Sequence, residues 1–226
     1  MMPLAKVRQP ADKVLSACIK KHKASNSATP WKVFRDSACG PHAVQKLQEA
    51  YGTRCVYCDH ADGRTVDHVV GKKEDPATCF AWANWRASCG DCNNLKGTKR
   101  AIDPVRVDPR GHVCFDLTTG APSAVDVSRT TSLVATTLLL LDNQTLNEAR
   151  RAASVQMVDA LEQLTTVGDA RVRRKMRALL DRITPHRAIL RELVLEQDPT
   201  LNPHRALVDA ALKKMPDLAT WAADPR

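Results

Sequence analysis

The strongest pattern along the chain is a helical recurrence of apolar positions in its C-terminal half. Leu146, Ala149, Ala153, Met157, Leu161 and Leu164 fall three or four residues apart, the period of one buried helix face. Val172, Met176, Leu179, Leu180 and Ile183 repeat it, and Thr184-Pro185 opens a further helix carrying Ile189, Leu193 and Val194. Nearer the N-terminus, a short helix is predicted from His42 to Tyr51, with Pro41 just inside its start and Gly52 just past its end. The stretch from Ala24 to Pro30 is turn-rich and reads as a loop. A strand is predicted from Gly111 to Leu117. Residues 52–104 instead concentrate cysteine, histidine, asparagine, glycine and aromatic residues, with Asp62-Gly63 as a hairpin-turn signal. That texture is a site, not a core. The pattern predicts an α+β, mostly helical chain in three parts: a basic helical lead over 1–50, a site-bearing core over 51–104, and a strand followed by a helical region over 105–226.

Composition narrows the class. The 226 residues are 43% apolar and 26% charged, as in a globular protein. The length suffices for one domain, or for a small site module with attached helices. Thirty-four Lys+Arg against 25 Asp+Glu leave a net charge of +9, which favours an acidic partner such as nucleic acid. The first 35 residues hold eight Lys/Arg and one Asp. No apolar run approaches the ~20 residues that span a bilayer. The most aliphatic, Leu138 to Leu141, follows Thr136-Thr137 and ends at Asp142. The first eight residues lack the apolar core of a secretory leader, so a cytoplasmic protein without a membrane span is expected.

Eight cysteines add candidate chemistry. Four form two knuckles, Cys55-Val-Tyr-Cys58 and Cys89-Gly-Asp-Cys92. In a reducing compartment such pairs read as a four-thiolate structural Zn²⁺ site. A disulfide or redox framework is the alternative, but it belongs to small secreted chains. Cys18, Cys39, Cys79 and Cys114 are scattered, most simply as buried small apolar groups.

The loop between the knuckles is longer than a plain zinc ribbon needs. It holds Asp67-His68 and Trp82-Ala-Asn84-Trp85, and Asn93-Asn94-Leu95-Lys96-Gly97 follows the last cysteine. Asp67 and Asn93 offer hard oxygens suited to Mg²⁺ or Mn²⁺. On a strand, His68 would point away from Asp67 and stay available to deprotonate a water. Lys72, Lys73, Lys96, Lys99 and Arg100 flank these residues and could grip a phosphate backbone. Each feature has a bland counterpart: a polar loop for Asp67-His68, packing for Trp82 and Trp85, a solvated helix end for Lys96 onward.

The order CxxC, Asp67-His68, Asn84, CxxC, Asn93-x-x-Lys96-Gly97 resembles the HNH endonucleases, whose ββα-metal site is commonly built on a zinc-bound treble clef. The resemblance implies His68 as general base, Asp67 and Asn93 as ligands of a catalytic divalent metal, and Asn84 as the residue fixing the loop and the orientation of the base. Asn93 stands where many members carry His. A narrower similarity covers most of residues 31–150. The lead into Gln48-Glu-Ala-Tyr-Gly-Thr-Arg-Cys55, the stretch from Trp82 to Gly97, and Ile102-Asp-Pro resemble HNH nucleases of the retron and Septu anti-phage systems. Those read Glu-His-Phe-x-Pro-Lys where this chain has Asp67-His68-Val69-Val70-Gly71-Lys72.

This second resemblance implies a cytoplasmic bacterial defence nuclease acting on DNA with an ATPase partner of the SMC-like or ABC-like kind, assembled as a complex. Two other functions stay open: a zinc-stabilised DNA-binding module without catalysis, and an interaction subunit with a vestigial site. In the helix predicted over 169–184, Arg171, Arg174, Lys175, Arg177 and Arg182 share the arc opposite the apolar face, with Asp181. A solvated face, a DNA clamp and a docking surface for the ATPase all fit. Partner docking through the helical half is the reading favoured here.

Overall fold

The computed structural model describes residues 8–25, 29–59, 62–167, 174, 190–194 and 202–223. They are mostly helical, with two small antiparallel sheets of two strands each. The segment 169–184 lies outside the described residues except for Arg174, which is helical and exposed. Among the described residues, no helix is long and apolar enough to cross a membrane. Contacts divide the chain into two units: one runs through Asp108 and takes in Thr131–Leu140, and the other holds Pro109–Thr130 and the chain from Leu141 on. The sequence divisions at 50 and 104 mark changes in texture; these units mark density of contact.

The first unit begins with α1 (Lys13–Lys23), whose N-cap Asp12 accepts the Leu15 N–H at 2.7 Å. The Leu15 N–H, and then the His42 ring 3.0 Å away, hold the Asp12 carboxyl down at about 2. Next come α2 (Pro30–Asp36) and α3 (Cys39–Tyr51), which starts three residues earlier than predicted and ends, as predicted, at Gly52 with φ 92°. Gly40 lets α3 start against the end of α2, because a Cβ there would lie 2.2 Å from the Arg35 carbonyl oxygen. One face of these helices buries Leu15, Trp31, Phe34, Ala43 and Leu47 against Phe80, Trp82 and Trp85.

The stretch over 52–104 is therefore half of a core as well as the carrier of the candidate site. Its strands β1 (Thr65–His68) and β2 (Trp85–Ser88) pair antiparallel in the register Asp67 to Arg86 and His68 to Trp85. The short helix α4 (Gly90–Lys96) follows β2 directly. Arg86 is buried and donates to both carboxylate oxygens of Asp103, at 2.7 and 2.5 Å, tying β2 to the segment beyond α4. Thr137, on α5 (Ser132–Leu141), accepts the Ile102 N–H at 2.8 Å.

In the second unit, the predicted strand is the shorter β3 (Val113–Phe115), paired antiparallel with β4 (Pro122–Ala124). The helix α6 (Gln144–Val167) buries Leu146, Ala153, Met157, Leu161 and Leu164, as its period predicts, with Ala149 half-buried. Leu190, Leu193 and Val194 pack into the same core, together with Val208 and Ala211 of α7 (Arg205–Lys214) and Leu218 and Ala222 of α8 (Asp217–Ala223). The Arg150 guanidinium lies 4.4 Å over the Phe115 ring and donates to the carbonyls of Gly120 and Leu141.

The scattered cysteines require a correction. Cys79 is a buried thiol, but Cys18 and Cys39 form a disulfide, and Cys114 is half-buried on β3. Packing of α1 beside α3 brings the two Cα atoms to 5.8 Å, a juxtaposition that a separation of 21 residues does not announce. The closed loop contains all of α2, and a loop of this length is worth about 3 kcal/mol. Denaturant unfolding should therefore show the oxidised protein more stable than either the reduced protein or Cys18→Ser, with the latter two alike. Equal midpoints for all three would mean the bridge constrains nothing.

Candidate active site

The two knuckles meet as their spacing predicts. The sulfurs of Cys55, Cys58, Cys89 and Cys92 all lie within 4.8 Å of one another, and all four residues are buried. Cys58 and Cys89 sulfurs are 3.9 Å apart, close to the ~3.8 Å edge of a tetrahedron with Zn–S bonds of about 2.3 Å. Cys89 caps α4, and its sulfur accepts the Cys92 N–H at 3.4 Å. Hydrogen bonding among the thiols pushes Cys55 and Cys92 upward and brings Cys89 down to about 7. A buried set of four soft donors suits zinc, which would hold the thiolates deprotonated.

Side chains of β1 alternate across the strand, as predicted. Asp67 faces the first knuckle and α4, where Tyr57 Oη donates to its Oδ2 at 2.5 Å and Lys96 Nζ to its Oδ1 at 3.1 Å. Burial raises the Asp67 carboxyl, and the Lys96 charge opposes that shift. Burial, with Asp67 beside it, raises the Tyr57 phenol well above its usual range. Thr65, two residues back on the strand, accepts the Asn93 amide N–H at 3.0 Å.

His68 points the other way, into the aromatic core. Its ring meets the Trp31 ring edge-on with centroids 4.3 Å apart. Its Nε2 lies 2.8 Å from the Cys79 carbonyl, which can only accept, so Nε2 carries the proton and Nδ1 holds the lone pair. Burial, helped by the Lys72 and Lys96 charges, keeps the imidazole down at about 4, neutral at pH 7. Trp85 Nε1 donates to the same carbonyl at 2.7 Å. Asn84 secures the loop that presents it: Oδ1 accepts the Val70 N–H at 2.7 Å, while Nδ2 donates to the carbonyls of Val70 and Thr78 at 3.0 and 3.3 Å. Trp82 and Trp85 serve as packing.

Two sequence-based readings change. Lys96 is no surface cation: it is 1% exposed, and its ammonium also donates to the His68 carbonyl at 2.8 Å. It tethers β1 to α4, because its stem reaches inward along the helix face that carries Cys92. Asp67 is not a bare carboxylate: Oδ2 already accepts from Tyr57 and Oδ1 from Lys96, so a dication would share it with both. Asn93, the other donor named for a catalytic metal, is half-exposed and lies against Thr65 on the Asp67 side of β1. Of the other cations, Lys73 and Lys99 are exposed, Arg100 pairs with Glu74, and Lys72 sits 5.7 Å over the Trp31 ring. Sequence reasoning missed Tyr57, Thr65 and the Cys79 carbonyl. The strand period could have flagged Thr65 as sharing Asp67's face; a backbone carbonyl has no residue signature.

Elemental analysis should find about one zinc per chain, and Cys58→Ser or Cys92→Ser should lose both the metal and the folded state. Full stability without zinc would count against the four-thiolate site. Lys96→Met should cost about 3–5 kcal/mol in denaturant unfolding, because it strands a buried carboxylate, whereas Lys99→Met should stay within about 0.5 kcal/mol. Unchanged stability in Lys96→Met would return Lys96 to the surface cations.

No curated protein and no solved structure matches the chain. The HNH endonuclease family model matches residues 55–99, which run from the first knuckle cysteine past Lys96 and include Asp67, His68, Asn84 and Asn93.

Proposed function

We propose that the protein is an HNH endonuclease that hydrolyses DNA phosphodiester bonds, with His68 as general base. The observation that carries this reading is the His68 hydrogen bond to the Cys79 carbonyl. It fixes the tautomer, leaves the Nδ1 lone pair unprotonated, and is itself held by the Asn84 clip. Burial keeps the ring neutral, the form a base needs. Asn84 acts through the loop, as a positioning residue.

HNH nucleases use divalent metals, and Mg²⁺ or Mn²⁺ would supply charge stabilisation at the phosphate. Asn93 would be its more accessible ligand, and Asp67 would share its carboxylate between the metal, Tyr57 and Lys96. The net positive charge fits a polyanionic substrate. A role as the effector of an anti-phage system, with an SMC-like or ABC-like ATPase, rests on the sequence resemblance over residues 31–150; in the cytoplasm it implies, the Cys18–Cys39 pair would be held reduced. Co-purification with that ATPase would test it.

Two observations favour a second reading, a zinc-stabilised nucleic-acid-binding subunit without catalysis: His68 is only 3% exposed, and Asp67 is paired internally. Plasmid cleavage in Mg²⁺ or Mn²⁺, with an EDTA control, separates the two. His68→Ala should lose about 10²–10⁴-fold in rate while zinc content and DNA affinity stay near wild type. Undiminished cleavage by His68→Ala would move the activity elsewhere, and no cleavage by the wild type would leave the binding reading.

A further inference from the structure

A cleft of 460 Å³ opens between α3 and the β1–α4 face, within the first unit. Its charged lining residues are all cationic: Arg35 from α2, Arg64 just before β1, and Lys72 from the loop after it. Gln45 and Gln48 of α3 add amides on one wall; Gln45 donates to Glu49 at 3.0 Å and Gln48 to the Gly63 carbonyl at 2.9 Å, which leaves each a second N–H and its oxygen for a ligand. Thr65 and Asn93, joined by their 3.0 Å hydrogen bond, line the other. The cleft thus reaches a residue of the HNH motif.

The chemistry selects an extended anion with polar edges. Arg35 pairs with its neighbour Asp36 and Arg64 with Asp62, but these pairs are largely exposed, contribute little, and can yield to a phosphate. Trp31 also lines the cleft, yet Phe34 stacks on it with centroids 5.0 Å apart and Lys72 lies over its ring. Base stacking is therefore not the grip; charges and amides are. The volume falls in the ~300–1,000 Å³ range of sites that enclose a small ligand. It suits a nucleotide of one strand and is too small to enclose both strands of a duplex.

We propose that this cleft is a subsite seating a single strand of nucleic acid beside the ββα site, with Arg35, Arg64 and Lys72 on its phosphates and Gln45 and Gln48 toward its bases. The choice of ligand rests on the nuclease reading. The grip then lies on the α3 side of the motif, not on Lys99 and Arg100.

The test is anisotropy of the full chain in EDTA, with a short fluorescent single strand and a hairpin duplex of the same sequence, across a salt series. The strand should bind more tightly than the duplex. Arg64→Gln with Lys72→Gln should reduce the salt slope for the strand by about 1.4, or ~0.7 for each lost phosphate contact. Gln45→Trp, which fills the cleft without changing charge, should weaken strand binding by an order of magnitude and leave zinc content and circular dichroism unchanged. An unchanged slope, equal losses on the duplex, or wild-type binding by Gln45→Trp would overturn the assignment. Cleavage is a separate readout: the expected binding results without wild-type cleavage in any divalent metal would sink the nuclease reading and leave the cleft. Cleavage with an unchanged slope would do the reverse.

Discussion

The pairing of β1 with β2 is only four residues long, yet the candidate site depends on its register. Strand side chains alternate, so a slip of one residue would exchange the surroundings of Asp67 and His68. The carboxylate would then enter an aromatic core, and the imidazole would face a buried ammonium. Each side of the strand supplies partners that the other could not. Tyr57 and Lys96 satisfy Asp67, while Trp31 and the Cys79 carbonyl receive His68. Opposite them on β2, Arg86 and Trp85 are equally particular, the first bonded to Asp103 and the second donating to the Cys79 carbonyl.

Two buried ion pairs, Lys96 with Asp67 and Arg86 with Asp103, bracket the sheet. Such pairs gain little net stability over apolar replacements of the same shape, but losing one partner is costly. Their effect here is to favour one register and one seating of α4. The thiol cluster reinforces this, because Cys55 and Cys58 precede β1 while Cys89 caps the helix that carries Lys96. The Cys18–Cys39 bridge works from the other side, closing the loop that holds Trp31 over His68.

The cations near the motif therefore divide by depth. Lys96 and Arg86 are internal struts; Arg35, Arg64, Lys73 and Lys99 are exposed. A net charge of +9 describes the molecule's attraction to a polyanion without saying which charges meet it. The cleft beside Thr65 and Asn93 proposes three that do.

The sequence by itself determined the convergence of two knuckles into one thiol cluster, the α6 face from Leu146 to Leu164, the end of α3 at Gly52, and the opposed directions of Asp67 and His68. These follow from local periods and ligand spacing, which one segment can carry. Only the tertiary structure decided that Lys96 turns inward, that Asp67 is paired, that Cys18 meets Cys39, and that the Cys79 carbonyl orients His68. Each depends on which segments pack together. Lys96 and Lys99 have the same side chain three positions apart, and only the seating of α4 against β1 makes one a buried tether and leaves the other in solvent. For the same reason Cys79 stood out for its thiol, whereas its contact with His68 is made by a backbone atom that every residue possesses.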